Sequence, residues 1–550
     1  MRGARALVFV AVAALAAPAC GPGAPDGGPV GEPVEADRWL GRDREAVFAD
    51  HVERIAAVAA LSDAGFARLG TTWAQELVSV RRRYVEARTA ADVHLALMAL
   101  KNSLHDGHAF LEDDALRPAG PPVSLPLSLR VEIDETDGQT RYIVRAGGAL
   151  PAGSEVLAVD EVAIPDLERM HVAWFAGGSS PEALRLDVAR WLEVRDPGRE
   201  PAPAPGTTTT LRLRHEDGRE QSVVLRWDTR VALESACPPY ADACAPDADG
   251  EYADAPVFEG MGACVYTTDD PATRVVRYRT FAMPESRDPY ERACLERKLP
   301  ALTYALTLED ADAMGPRGLL MRDQGELLDH LARAGVERVL FDVRDNTGGD
   351  FDPIFFGAFT DGTYAQPRKS FVYGPAFQRD PARVGEAQVY VALLDGRPID
   401  DGAARIEQFL REHPDAQTSP PIPFYCQTSA CADGEETLRS LSSVVFRAAV
   451  LAGPRCFSAC DDFVSIFRDN EIAPTLGQPT GAGDSPYSYD LALPLQDGSA
   501  ATLHVTVGVS FHPGTSTPLE AHPAVIDVAL PPTRANRGRY VEAVLGRVPW

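Results

Sequence analysis

The sequence predicts a multidomain α/β protein, and three observations carry that prediction. First, 550 residues with 45% hydrophobic content are enough for several domains with cores of their own. Second, the periodicity changes along the chain: helical over about Arg38 to Leu111, then short alternating strands from Pro121 to about Asp228. Third, a helix, a short turn and an apolar strand ending in a glycine pair follow later, which is the pattern of an α/β core. The expected order is an N-terminal helical domain (37–118), a β domain (119–230), a cysteine-bearing insertion (231–268) and an α/β core (269–550) with an insertion over 365–440.

The N-terminus reads as an export signal over residues 1–20. Arg2 and Arg5 precede an apolar run, Ala6 to Ala17, too short to span a bilayer. Ala17-Pro18-Ala19-Cys20-Gly21 resembles a bacterial lipoprotein cleavage site with Cys20 lipidated; an ordinary signal peptide cut nearby is the alternative. Both imply export to the cell envelope. Residues 21–36, rich in Gly and Pro, form a flexible tether. A formal charge of −27 argues against nucleic acid and anionic membranes as partners, so the only membrane contact expected is a lipid anchor at Cys20. Eight further cysteines, from Cys237 to Cys460, suggest disulfides in an exported chain. The close pairs Cys237/Cys244 and Cys426/Cys431 hint at small local loops. No CxxC and no histidine pair supports a metal, so neither metal nor cofactor is expected.

In the helical domain, Trp73, Leu77, Val80 and Tyr84 form one apolar stripe. Thr89-Ala90-Ala91-Asp92 is a capping box opening a second helix, with Val93, Leu97, Leu100 and Leu104 on its buried face. Gly107 is the expected stop, leaving His108 just beyond it. A histidine after a helix is usually a bystander, but it can serve as a base near neutral pH.

In the β domain, strands are expected over Leu125–Ile133, Arg141–Arg145 and Ser154–Val159, with a hairpin Thr208–Arg214/Gln221–Arg226 around Asp217-Gly218. The run Pro151 to Asp160 resembles half of a PDZ domain, a unit that binds extended peptide by adding a strand to its sheet edge. Residues 231–268 read as acidic loop, followed by a strand Val275–Phe281. Glu326–Ala334 is helical with Gly335 as its stop, and Val336–Val343 is a buried strand running into Arg344-Asp345-Asn346-Thr347-Gly348-Gly349. Paired glycines at a strand's C-terminal end let main-chain N–H groups approach a ligand. No Walker motif accompanies them, which excludes a nucleotide phosphate site of that type.

Val444–Leu451 is a second buried strand, broken by Gly453-Pro454 and followed by Arg455-Cys456-Phe457-Ser458-Ala459-Cys460-Asp461-Asp462-Phe463. Phe463, Ile466 and Phe467 recur at helical spacing, so Ser458 sits at a strand-to-helix turn. Free N–H groups and partial positive charge there suit a nucleophile whose product is an oxyanion. The plainer reading is an N-cap serine. A glycine-rich loop, Thr475 to Gly483, a strand Leu503–Phe511, the segment Pro518-Leu519-Glu520-Ala521-His522 and a strand Val525–Leu530 complete the core, with a terminal helix over Arg539–Leu545.

Taken in order, four segments resemble the serine peptidase family of C-terminal (tail-specific) processing peptidases and the tricorn core. They are Asp106-Gly107-His108; Asp342-Val343-Arg344-Asp345-Asn346-Thr347-Gly348-Gly349; Phe457-Ser458-Ala459-Cys460-Asp461; and Gly477-Gln478-Pro479-Thr480-Gly481. The resemblance implies a crotonase-like α/β catalytic core with a PDZ-like β domain before it. One variant of the family uses a Ser–Lys dyad; its lysine position falls here at Gly483, with no lysine near. The tricorn-like variant uses Ser and His supported by a carboxylate. Carried over, it implies Ser458 as nucleophile, His108 as general base and Glu520 as the acid, with Gly348 or Gly349 and Ala459 as oxyanion donors. His105, and His522 beside Glu520, are rival bases; Asp106 and Asp527 are rival acids. The implied activity is an exported serine endopeptidase acting on peptides or unfolded polypeptide. The alternative is an inactive protein of the same fold that binds peptides or small apolar ligands.

Overall fold

A computed structural model describes residues 35–550 except 60–65, 68, 114, 119, 146–149, 172–179, 231–236, 247–250, 351–352, 372–410, 414–421, 424–436, 440–444, 484–487 and 520–521. Residues 1–34, and with them Cys20 and the export signal, lie outside the described residues, as do Glu520, Cys426, Cys431 and most of the insertion 365–440.

Three N-terminal helices start where a side chain can accept from a free N–H. α1 (Arg44–Ala56) is capped by Asp43, α2 (Trp73–Glu86) by Thr72, and α3 (Ala90–Asn102) by the full Thr89/Asp92 capping box. Val80, Tyr84, Val93, Leu97 and Leu100 are fully buried. α3 stops at Asn102, earlier than Gly107, and the chain turns at His105 (φ 50°). The glycine at 107 has another cause, given below. β1 (Phe110–Glu112) follows.

The β domain is built on an antiparallel sheet whose main path is β2 (Leu129–Ile133), β3 (Thr140–Val144), β4 (Glu155–Val159), β5 (Thr208–Arg214) and β6 (Glu220–Arg226), leaving β2 at one edge. The sequence reading misses α4 (Pro181–Glu193), which has Ser180 as N-cap and packs beside β2.

The supposed loop 231–268 contributes two strands to the core sheet, β7 (Phe258–Glu259) and β8 (Ala263–Thr267). β9 (Thr273–Tyr278) follows, and then α5 (Leu308–Arg333), far longer than expected. α5 is two helical segments joined at Gly315 (φ 65°, ψ 178°), with Pro316 opening the second. Then come β10 (Arg338–Asp342), β11 (Arg447–Ala452), α6 (Ala459–Asp469), β12 (Thr475–Gly477), the hairpin β13 (Ser488–Pro494)/β14 (Ala500–Thr506) and β15 (Val528–Ala529).

The core sheet runs β7-β8-β9-β10-β11-β12-β15, and its last five strands are parallel. Parallel strands need crossovers that cover the sheet, and strands buried on both faces read as continuous apolar runs, as β10 and β11 do. The expected strand Leu503–Phe511 is two: β14 ends at Thr506, and Gly508–Phe511 pairs with Arg368–Phe371 in a separate sheet.

The β13–β14 hairpin reaches back to the N-terminal helices. β14 pairs with β1 (Phe110↔His504, Leu111↔Leu503), and Leu491, Leu493, Leu503 and Val505 share one core with Val52, Ile55, Leu97 and Leu100. Buried His51 on α1 bonds Tyr84 Oη (3.0 Å) and the Pro494 carbonyl (2.9 Å). Among the described residues no helix is long and apolar enough to cross a membrane.

Candidate active site

The C-terminal ends of parallel strands are where open α/β sheets place their ligands, and both glycine-bearing turns lie there. β11 ends at Ala452, the chain turns through Gly453-Pro454, and Ser458 precedes α6. Ser458 has φ 59° and ψ −131°, a costly conformation for a residue with a Cβ. Its N–H donates to the Gly483 carbonyl (2.9 Å) and the Phe457 N–H to the Asn346 carbonyl (3.3 Å), which holds the turn. Ser458 occupies the N-cap position of α6 yet makes no side-chain cap bond. Its Oγ instead lies 2.9 Å from His108 Nε2, across 350 positions of sequence.

Phe457 organises the turn. Its ring stacks on the His108 imidazole, with centroids 4.7 Å apart and planes 30° from parallel. A Cβ at Gly107 would stand 2.5 Å from this ring, and one at Gly483 2.4 Å from it. So Gly107 and Gly483 are glycines because Phe457 fills the space a side chain would need.

His108 is placed by Asp106. The His108 main-chain N–H donates to Asp106 Oδ1 (2.9 Å), and Thr506 Oγ1 donates to Asp106 Oδ2. His108 Nδ1 is 3.9 Å from Asp106 Oδ1 and has no hydrogen-bond partner among the described residues. Burial pushes the nearby Lys101 ammonium down to about 8, with the Asp106 charge the strongest influence opposing it.

Gly348 (φ 92°) stands directly against the serine: a Cβ there would be 2.7 Å from Ser458 Cβ and 3.2 Å from the Ala459 nitrogen. The Gly348 N–H donates to Asn346 Oδ1 (2.8 Å), and its carbonyl accepts from the Phe281 N–H (2.9 Å). Gly349 (φ 129°) is pressed on the Phe281–Ala282 main chain. Among the described residues neither the Gly349 nor the Ala459 N–H donates to a protein acceptor.

The remaining candidates lie elsewhere. His105 is buried 3.8 Å from Glu76, with its ring edge-on to Phe66. His522 is exposed, its carbonyl accepting from His512 Nε2 (2.7 Å). Asp527 accepts from the Thr475 N–H (2.9 Å) and hydroxyl (3.0 Å), a structural clasp between β12 and the strand after it. Asp461 is fully buried and accepts from Thr480 Oγ1 and from the Ala524 N–H (3.2 Å), tying α6 to the glycine-rich loop. No group of His, Cys, Asp or Glu among the described residues is arranged to hold a metal.

Cys456 and Cys460 form a disulfide bracketing Ser458. Cys237 bonds Cys294 and Cys244 bonds Cys264, so the expected Cys237/Cys244 loop is not made. Sequence proximity is a weak guide here, because β8 and the helix Pro289–Lys298 bring distant sulfurs closer. Phe457, Thr506 and Asn346 are contributors that sequence reasoning missed; Asn346 sits inside the quoted glycine motif, while nothing local marks Thr506.

No family model and no curated protein matches the chain by sequence. The fold is similar to that of solved structures of CPAF. Mature CPAF aligns with a TM-score of 0.61 at 16% identity, over 91% of this chain and 95% of that one. Mature CPAF complexed with lactacystin aligns with a TM-score of 0.60 at 17% identity, over 92% and 97%. The photosystem II D1 C-terminal processing protease aligns less well, with a TM-score of 0.34 at 13% identity over 89% and 93%.

Proposed function

We propose that the protein is an exported serine endopeptidase that cleaves peptides or unfolded polypeptide in the cell envelope. The observation that carries the reading is the 2.9 Å contact between Ser458 Oγ and His108 Nε2, made by a serine that has given up its cap bond. A serine hydroxyl is a weak nucleophile and needs such a base. His108 takes the Oγ proton as Oγ attacks the scissile carbonyl carbon, then gives it to the leaving amine nitrogen. Water, deprotonated by His108 Nε2, then attacks the acyl carbon, and Nε2 returns that proton to Ser458 Oγ as the acyl–oxygen bond breaks. The oxyanion is received by the Ala459 N–H with Gly349, whose N–H is the uncommitted one of the glycine pair.

Asp106 is the positioned carboxylate beside His108. A small ring rotation or a bridging water closes its 3.9 Å gap to Nδ1, fixing the tautomer and stabilising the imidazolium. Glu520 is the other acid the family resemblance implies. Export, with a lipid anchor at Cys20, is supported by the apolar leader and by the disulfides.

The test is covalent labelling of the full chain by a fluorophosphonate together with turnover of an unstructured polypeptide. Labelling at Ser458, abolished in Ser458→Ala along with turnover, is expected. Peptide binding without labelling or turnover in the wild-type chain would instead indicate the inactive, peptide-holding reading.

A further inference from the structure

A cavity of about 350 Å³ lies between the β domain and the core. One wall is the edge strand β2 with α4; the other includes the turn Gly453-Pro454-Arg455, which leads straight into Ser458. Its lining reverses the charge of the chain. Asp and Glu outnumber Lys and Arg overall by 80 to 53, whereas arginines outnumber carboxylates around this cavity.

These arginines are of two kinds. Arg344 is neutralised by Asp342 (2.7 Å) and Glu251 (2.9 Å), and Arg537 by Glu132 (2.8 Å) and Glu216 (3.0 Å). Arg277 and Arg279 are held by main-chain carbonyls instead: Ala245 at 2.7 Å and Asp242 at 3.1 Å. Among the described residues neither has a carboxylate within ion-pair distance, and Arg277 is 4% exposed. An anion beside this group is Asp345, 3.7 Å from Arg455. Burial pushes its carboxyl up, but Arg455, then Arg344, Arg277 and Arg279, outweigh burial and hold it below the ordinary carboxylate range. One carboxylate thus serves several guanidiniums. Cations held close together by carbonyls repel one another, and an incoming anion relieves that repulsion.

The facing wall offers main chain. β2 is an edge strand whose outward N–H groups at Leu129 and Ile133 donate to the Glu193 carboxylate and to the Pro532 carbonyl (2.9 Å). By strand alternation the Val131 N–H and carbonyl point the same way, into the cleft, where an extended segment can pair with them.

We infer that this cavity binds an extended polypeptide segment carrying acidic side chains, whose carboxylates are received by Arg277, Arg279 and Arg455. The binding stands by itself; its consequence, selection of anionic substrates for cleavage, rests on the peptidase reading. Arg455 is three residues before Ser458, so a segment held here lies on the approach to the nucleophile. A cation-lined cleft in an acidic protein also focuses the field that draws such a segment in.

The binding test uses the full Ser458→Ala chain and two amidated, unstructured fluorescent peptides, one rich in aspartate and one with asparagine in its place. Anisotropy is expected to show the aspartate peptide binding at least about tenfold tighter at low salt, with the advantage shrinking as salt is added. Arg279→Gln and Arg455→Gln, at less buried positions than Arg277, are each expected to remove most of that advantage. Equal affinities, or an advantage unchanged in both variants, would overturn the inference. A wild-type chain labelled at Ser458 but indifferent to peptide charge defeats this inference alone. A chain that prefers the aspartate peptide but is never labelled defeats the peptidase reading alone.

Discussion

Ser458 carries the site at the scale of single residues. A side chain in a left-handed, strained conformation persists only where its surroundings over-determine it, and here Gly483, Asn346 and Phe457 do so. Ser458→Ala and His108→Gln are each expected to lower kcat/KM by about 10³-fold or more, and the double variant to be hardly worse than either, since the two act as one unit. Steady-state kinetics on an unstructured substrate checks both. Asp106→Asn keeps the acceptor for the His108 main-chain N–H but removes the charge. It is expected to cost about 10- to 100-fold in kcat/KM and to move the pH profile, as a merely structural change would not. Gly348→Ala would put a methyl 2.7 Å from Ser458 Cβ at a φ of 92°, so loss of labelling is expected even where the variant folds.

At the scale of elements, α6 is pinned at both ends. At its start the Cys456–Cys460 disulfide closes the turn around the nucleophile. Closing so short a loop contributes about 2 kcal/mol in the chain-entropy picture. The double variant Cys456→Ala/Cys460→Ala is expected to lose about that much stability in denaturant titration and to lower kcat more than it raises KM. At its end, Asp469 holds His512 Nδ1 at 2.7 Å. Burial depresses the His512 pKa, but Asp469 and then the His522 carbonyl outweigh it, and the net shift is upward from 6.5. A folded-state pKa above the unfolded one means the pair stabilises fully below pH 6.5 and loses that contribution as pH rises through the folded value. His512→Gln should therefore cost about 1.5–3 kcal/mol in mildly acidic buffer and progressively less in alkaline buffer. A gap between variant and wild type that stays constant with pH would refute this account.

The whole molecule decides whether the site exists, because its two halves come from opposite ends of the chain. What was legible in the sequence was local: the Thr89/Asp92 capping box, the apolar runs of β10 and β11, and the strand–turn–helix around Ser458 announce themselves within a dozen residues. What was not legible depends on long-range pairing. The disulfide partners, the burial of Phe457 against two glycines and the clasp of Thr506 on Asp106 have no local signature, and α4 was hidden in a stretch read for alternation. One pairing stands behind several of these. Strand β1 matches Phe110 to His504 and Leu111 to Leu503, and continuing that register by two residues puts Thr506 opposite His108. The hairpin thereby carries the support for the histidine to the serine's side of the molecule, and Phe110 stacks on His504 at 3.7 Å to hold the register. Glu112→Pro removes a main-chain donor that faces Thr502 on β14. It is expected to cut fluorophosphonate labelling of Ser458 by about 100-fold while the far-ultraviolet circular dichroism stays near wild type; Glu112→Gln, which keeps the donor, is expected to label normally. Full labelling of the proline variant would show that His108 reaches Ser458 without this strand, and the long-range clasp would then not be what assembles the site.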